Sequence, residues 1–337
     1  MPASLDDISI EWLGNVLGRP VQRIAVTPMP LGYGILSELA RVDADGESLV
    51  VKLASRDPVT FYTSVGMTWY QREVALYRDL AHRIACRVPV CRASVVDDDQ
   101  RFALVLDDLS PSCRPIDQIA GVTDAESFAV IDALAALHGS IHVADLPSWV
   151  PLANDPTLAI IGPFCQNIWP AFAANSDWPS EAIAVAEAFV AHLPAVLNVW
   201  AHCGPSVLTH GDVRGDNLLM HVATGEAVLL DWQQPAKQPA GWDLAHFALT
   251  TLATNDRRRL EPVLLDRYTR ARPEVGSDQL WHEYRLAALM LVYKPVANIN
   301  LDPGTDRGRA MMQSMSDRMA AAIIDLNLAD LLAGLLS

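Results

Sequence analysis

Cysteine pairs, basic clusters and long apolar runs are all missing from this 337-residue chain, and each absence removes a class of protein. The five cysteines, Cys86, Cys91, Cys113, Cys165 and Cys203, are odd in number and scattered, with no C-x-x-C pair. Neither a disulfide framework nor a zinc site is expected; the thiols read as reduced and mostly buried. No stretch approaches the roughly 18 to 20 apolar residues a spanning helix needs. Asp6, Asp7 and Glu11 stand where a signal peptide would carry positive charge, so the expectation is a cytoplasmic protein with no membrane partner. Lysine and arginine number 25 against 40 aspartates and glutamates, a formal net charge of −15. That balance argues against nucleic acid or an anionic lipid surface, and a neutral or cationic substrate fits it better, although surplus acid also serves solubility. There is no internal repeat, no low-complexity tail and no H-E-x-x-H pattern. What is present is 51% hydrophobic residues, enough for a large core in two lobes.

Apolar periodicity changes along the chain. Residues 4–18 have helical spacing and stop at Gly18; residues 21–54 alternate as strands of an antiparallel meander, with turns at 31–34 and at Ala44-Asp45-Gly46. A helix is expected over 61–80, then strands over 88–96 and 102–109, ending at Ser110-Pro111. Thr123-x-x-Glu126 has the form of a capping box and opens an apolar helix that carries His138 on its buried face, where a hydrogen-bonded core histidine is expected. Residues 147–179 are rich in proline and tryptophan and read as irregular; Trp149, Trp169 and Trp178 are candidates either to roof a pocket or simply to pack. Helices are expected over 180–200, bent at Pro194, and over 256–270, 278–293 and 308–336.

The chemistry concentrates in Leu208-Thr209-His210-Gly211-Asp212-Val213-Arg214-Gly215-Asp216-Asn217-Leu218-Leu219 and in Val228-Leu229-Leu230-Asp231-Trp232-Gln233. One carboxylate, an amide five residues later and a second carboxylate fourteen beyond that form the spacing of kinase-type phosphoryl transfer. Such transfer asks mainly for positioning and charge neutralisation. Asp212 would accept or orient the proton of an attacking hydroxyl, and Asn217 and Asp231 would offer oxygens to Mg²⁺ bridging nucleotide phosphates. Gly225, between two short apolar runs, suggests a hairpin returning Asp231 beside Asn217. Upstream, Lys52 interrupts an apolar strand, where a lone ammonium is costly without a charged partner or ligand. Glu73 shares a helical stripe with Trp69 and Tyr77 and would pair with it. Gly32-x-Gly34, weak alone, becomes a candidate phosphate-covering loop ahead of Lys52. Asp107 and Leu109, two residues apart on an extended segment, could offer a backbone carbonyl and N–H to an adenine ring.

In order, Gly32-Tyr33-Gly34, Lys52, Glu73, residues 104–109, residues 134–138, His210-Gly211-Asp212 with Asn217, Leu230-Asp231-Trp232-Gln233 and Gly241-Trp242-Asp243-Leu244-Ala245 resemble the kinase-like small-molecule phosphotransferases. This is the group containing aminoglycoside phosphotransferases, choline kinases and ecdysteroid-kinase-like enzymes, and the resemblance covers roughly residues 20–270. It implies an α+β, protein-kinase-like two-lobed fold: a small antiparallel-sheet N-lobe with one main helix over 1–108, binding nucleotide, and a larger, mainly helical C-lobe over 109–337 carrying the catalytic loop. It also implies ATP and Mg²⁺ as cofactors, Asp212 as catalytic aspartate, Asn217 and Asp231 on the metal, and Lys52 with Glu73 at the α- and β-phosphates. Asp243 would orient the catalytic loop and His210 would brace it; Trp232 would pack in the core. Arg214 and Asp216 could touch phosphate or substrate, or pair with each other. Only eleven residues separate Asp231 from Asp243, and no Ala-Pro-Glu follows, so a small hydroxylated molecule is favoured over a protein as acceptor. Two alternatives stand beside this: a catalytically inactive nucleotide-binding module, and a metal hydrolase built on His210, Asp212, His221, Asp231 and His246.

Overall fold

The computed structural model describes residues 1–29, 36–155 and 160–337. Gly32 and Gly34 lie outside the described residues. After a single 3₁₀ turn, helix α1 (Ile10–Leu17) starts where the Ser9 side chain accepts the Trp12 N–H, and stops at Gly18 in the left-handed region. Strands β1 (Ile24–Pro28), β2 (Ser37–Ala44) and β3 (Glu47–Ala54) follow. Two helices, α2 (Pro58–Gly66) and α3 (Trp69–Asp79), stand where one was expected. The apolar pattern runs through both, but Thr68 takes a left-handed conformation (φ 56°) that ends one helix and lets the next start at a new angle. Strands β4 (Cys91–Val96) and β5 (Phe102–Asp107) complete a five-stranded antiparallel sheet of order β1-β2-β3-β5-β4.

Strand alternation sorts this sheet into two faces. Leu49, Val51 and Leu53 turn toward α1 and join Ala40, Val42, Ala103 and Val105 in a small core. Ala54, Phe102 and Leu104 belong to the opposite face, packed with Tyr70, Val74 and Tyr77 of α3 in a core continuous with the helical part of the chain. Lys52, opposite Leu39 on one side and Leu104 on the other, is on this second face and points to α3.

Past the short strand β6 (Cys113–Pro115), the helix α4 (Asp124–Ser140) opens with the expected capping box: Thr123 Oγ1 accepts the Glu126 N–H, and Glu126 accepts the Thr123 N–H. Helix α5 (Ile161–Asn175) corrects the irregular reading of residues 147–179. Pro163 lies in its first turn, where no intrahelical N–H is needed, and only Pro170 is interior. Helix α6 (Ser180–His202) is kinked at His192, just ahead of Pro194. Contrary to expectation, α6 is long and apolar enough to cross a membrane by length and composition, with a mean hydropathy of 1.7. It packs against α5 and buries Ala182, Val185, Phe189, Leu193, Val196 and Trp200 in the main core, as a core helix does.

Strands β7 (Ser206–Thr209), β8 (Leu218–His221), β9 (Ala227–Leu229) and β10 (Ala236–Pro239) form two small sheets, β6-β8-β9 and β10-β7. Helix α7 (Gly241–Thr251), buried throughout, is enclosed by α8 (Thr254–Ala271), α9 (Ser277–Leu291) and α11 (Asp306–Asp325), with α10 (Tyr293–Ala297) between the last two and α12 (Leu328–Leu336) at the end. The expected helix 308–336 is thus two, separated by Asn327 at φ 49°, and 278–293 is cut at Leu291, with Tyr293 in the next helix.

Replacing the α4 cap, Thr123→Ala, removes the side-chain acceptor for the Glu126 amide and should cost about 1 kcal/mol of stability, read as a lower urea midpoint at unchanged slope.

Candidate active site

Strand β7 delivers the chain to His210-Gly211-Asp212, and a single buried carboxylate from α7 fixes that loop. Asp243, with no exposed surface, accepts the His210 N–H (2.7 Å) and the Gly211 N–H (2.9 Å). His138 of α4 meets the same carboxylate at 3.1 Å through Nε2, and its Nδ1 meets the Tyr268 hydroxyl at 2.8 Å. Burial would push the Asp243 carboxyl up, but the His138 hydrogen bond and charge, His210 and the Gly211 amide hold it below its ordinary value. His138 is therefore the hydrogen-bonded core histidine expected from its position. Gly211 is required: at φ 87° its backbone passes so close to the Gln234 carbonyl that a Cβ would sit 1.9 Å from the oxygen.

His210 braces the loop from the other side. The Asp212 N–H donates to its Nδ1 (3.2 Å), so the proton is on Nε2, which donates to the Leu230 carbonyl (2.8 Å), one residue before Asp231. Its ring packs on Trp232, which is fully buried and donates to the Leu229 carbonyl, a core role.

Asp212, Asn217 and Asp231 converge. Asn217 Nδ2 donates to the Asp212 carbonyl (2.8 Å) and to Asp212 Oδ2 (2.9 Å). The β8-β9 hairpin turns at Gly225 (φ 71°), and its return leg is tied to the outgoing one by the Leu230 N–H on the Asn217 carbonyl (2.9 Å). Asp231 follows in a left-handed conformation, φ 62°, uncommon for a residue with a Cβ. Lys52 Nζ spans from Asp231 Oδ1 (2.7 Å) to Glu73 (2.8 Å), so the expected Lys52–Glu73 pair is present and extends to Asp231. Burial would lower the Lys52 ammonium, yet Asp231 and Glu73 outweigh it and hold it above its ordinary value. Gln233 Nε2 donates to Glu73 and to Ser37 across the two parts of the molecule.

Asp107 is the last residue of β5, and Leu109 lies two residues on, past the end of the strand. The Asp107 N–H is used by the Val90 carbonyl, and the Leu109 carbonyl accepts the Ser112 and Cys113 amides in a turn. The side chain of Asp107 pairs with Arg92, and that of Asp108 with Arg41 and Ser48. Two of the tryptophans near 147–179 are structural: Trp149 donates to Asp79 at the end of α3, and Trp178, edge-on to Phe172, donates to Ser316.

The sequence reading missed Lys294 at the start of α10 altogether, and it counted His246 only toward a hydrolase. Lys294 Nζ donates to Asp212 Oδ1 (2.8 Å) and to His246 Nε2 (2.6 Å). His246 Nδ1 donates to the Val213 carbonyl (2.9 Å); burial and the Lys294 ammonium push the imidazole below its ordinary value, so it is neutral at pH 7 and its Nε2 accepts. Arg214 lies 3.4 Å from both Asp212 Oδ2 and Asp216 Oδ2, and the fully buried Asp216 carboxylate is gripped by Arg307 through two bonds, of 2.7 and 3.1 Å. The pairing alternative for Arg214 and Asp216 is thus present. Burial would raise the Asp212 carboxyl, but the Lys294 ammonium and, after it, the Arg214 guanidinium hold it well below the usual carboxylate range. His221, one proposed hydrolase ligand, is instead on the β8-β9 hairpin beside Thr224. Among the described residues no group of three or more His, Cys, Asp or Glu is arranged to hold a metal, which disfavours the hydrolase alternative.

Residues 33–286 match the model of a family described as the phosphotransferase enzyme family. The chain belongs to that family. Solved structures extend the likeness of this phosphotransferase to the fold. The choline kinase of Cryptosporidium parvum Iowa II superposes with a TM-score of 0.61 at 13% identity, covering 93% of this chain and 94% of its own. The GDP and kanamycin complex of APH(2")-IIia gives 0.57 at 13%, covering 92% and 98%. An ethanolamine kinase of Plasmodium vivax gives 0.54 at 11%, covering 88% and 82%. The phosphotransferase therefore has the protein-kinase-like fold, with its antiparallel sheet first and its helical region second, as expected. No curated protein matches it in sequence.

Two outcomes test this geometry. Gly211→Ala should destabilise the phosphotransferase by at least about 2 kcal/mol in urea unfolding, since a left-handed residue and a backbone carbonyl must both give way. Because the Asp212 carboxyl is depressed in the folded protein, the stability it contributes is complete above about pH 4, the ordinary aspartate value, and is lost as pH falls toward its folded value. Unfolding free energies measured from pH 5 downward should fall less steeply in Asp212→Asn than in the natural protein.

Proposed function

We propose that this protein transfers the γ-phosphoryl group of ATP, with Mg²⁺, to a hydroxyl group of a small molecule. The observation that carries the reading is the convergence of Asp212, Asn217 and Asp231: Asn217 holds Asp212 at 2.9 Å and is joined by its carbonyl to the residue before Asp231, which Lys52 ties to Glu73.

The donor set fits magnesium. Asp231 has one carboxylate oxygen on Lys52 and a second to give, and Asn217 turns its amide nitrogen to Asp212, leaving its oxygen as a ligand. Two hard oxygens with phosphate and water completing the shell is how Mg²⁺ is usually taken. Asn217 and Asp231 would hold the ion, which would supply neutralisation of phosphate charge when bound. Lys52, held by Glu73, is placed for the α- and β-phosphates, and the Asp107 carbonyl and Leu109 N–H for the adenine edge. Residues 1–108 then serve the nucleotide, with Gly32 and Gly34 as the covering loop, and residues 109–337 serve the acceptor.

Asp212 orients the acceptor hydroxyl. A bond forms between that oxygen and the γ-phosphorus, the bond from γ-phosphorus to the bridging oxygen breaks with the electron pair leaving on ADP, and the hydroxyl proton passes toward Asp212. A carboxylate held this far below its usual range is a weak base. Weak is sufficient, since the loose transition state gains most from alignment and charge. An inactive nucleotide-binding module is the less economical reading, because every polar group that transfer requires is present and interconnected.

Asp212→Ala should lower ATP-dependent phosphorylation of an acceptor by at least about 10²-fold while nucleotide affinity, followed by calorimetry, stays within about threefold. Lys52→Ala should instead chiefly raise the KM for ATP. Transfer retained in Asp212→Ala would sink the assignment.

A further inference from the structure

The two oxygens of Asp212 face different surroundings. Oδ2 is turned to Asn217 and Arg214. Oδ1 is turned to Lys294 of α10 and lies 3.2 Å from His246 Nε2. Lys294 is held in place from both ends: His246, itself locked on the Val213 carbonyl, accepts one N–H and Asp212 Oδ1 accepts another. An ammonium has three N–H donors, and these are its two partners among the described residues. The side chain keeps 14% of its surface exposed, beside an Asp212 side chain that keeps 16%.

The charges around Asp212 do not cancel. Arg307 takes both oxygens of Asp216. Arg214 and Lys294 then face the single charge of Asp212, since His246 is neutral. On the nucleotide side the imbalance has the opposite sign, with Glu73 and Asp231 against Lys52, which suits a divalent cation. An acceptor bearing an ammonium group beside its hydroxyl would be repelled by Lys294, whereas a carboxylate there would meet the remaining N–H.

We propose that the acceptor is a small hydroxy acid whose carboxylate is held by Lys294 while its hydroxyl lies on Asp212. This rests on the phosphotransfer reading and adds the acceptor class to it. Lys294 is then the specificity-determining residue, and the acceptor carboxylate inserts beside the existing Lys294–Asp212 contact.

The test compares matched acceptors at saturating ATP and magnesium: glycerate, 3-hydroxybutyrate and 4-hydroxybutyrate, each against its own amide, with choline and ethanolamine as cationic acceptors. The natural protein should show kcat/KM at least about tenfold higher for one acid than for its amide, with the cations poorer still. The acid-to-amide ratio should fall to about one in Lys294→Met and return in Lys294→Arg, which a general loss of structure would not produce. Amides or cations used as well as acids, or an unchanged ratio in Lys294→Met, would overturn the proposal. A second readout is independent of turnover. With ADP and magnesium saturating, the acids should raise the thermal midpoint more than the amides, and Lys294→Met but not Lys294→Arg should lose the difference; equal shifts for acid and amide overturn the proposal as well. Acid-selective binding with no phosphorylated product would instead count against phosphotransfer, so the two failures are separable.

Discussion

One carboxylate without solvent exposure, that of Asp243, sets where the reactive loop can be. It accepts two consecutive backbone amides, His210 and Gly211, and a histidine from a second helix. An ionised carboxylate taken out of water is tolerable only with this many donors, and each donor is a constraint on a different piece of chain. β7 is tied to α7 directly, α4 through His138, and α8 through Tyr268 behind it. Removing the charge would leave two buried amides unpaired as well as releasing Asp212, so the carboxylate serves stability and site geometry together. Gly211 meets the same constraint from the backbone, because only a residue without a Cβ passes under the Gln234 carbonyl.

A second tie runs across the molecule. Lys52 on the sheet and Glu73 on α3 belong to the first part of the chain, Asp231 and Gln233 to the second, and the four are joined by hydrogen bonds that are buried except at Asp231, which is partly exposed. Buried ion pairs contribute little net stability once desolvation is counted, but breaking one leaves a charge stranded. Their effect is to couple the placement of the sheet to the placement of the Asp231 carboxylate.

Much of this was legible in the sequence where signal is local. Alternation gave strand faces in the sheet, and the side of the sheet that takes Lys52 follows from period two; His210-Gly211-Asp212, Asn217 and Asp231 are close in sequence and joined by one hairpin. The failures have definite causes. A helical pattern is continuous through residues 61–80 because Thr68 breaks the backbone without interrupting apolar spacing. α5 was hidden by prolines, although Pro163 falls where a first turn tolerates it. Lys294 is the instructive miss. It follows Leu289-Met290-Leu291-Val292-Tyr293, a lone ammonium in an apolar run, the same signal that singled out Lys52. The signal was applied to a strand and not to a helix end.

Net charge acts on a different length scale. A formal −15 spread over a surface of 14403 Å² describes solubility and long-range attraction, and in physiological salt it fades over roughly 8 to 10 Å. Asp212 itself meets Lys294 at 2.8 Å and Arg214 at 3.4 Å, among side chains that are mostly out of water, where screening is weak. Bulk acidity therefore bears on approach and local cations bear on fit, and the two need not agree in sign. An acidic protein that takes an acid must present its cations already fixed, since a flexible lysine would relax onto the surrounding carboxylates. Here the fixing is visible: Val213 holds His246, His246 holds Lys294, and the ammonium reaches Asp212 from one direction only.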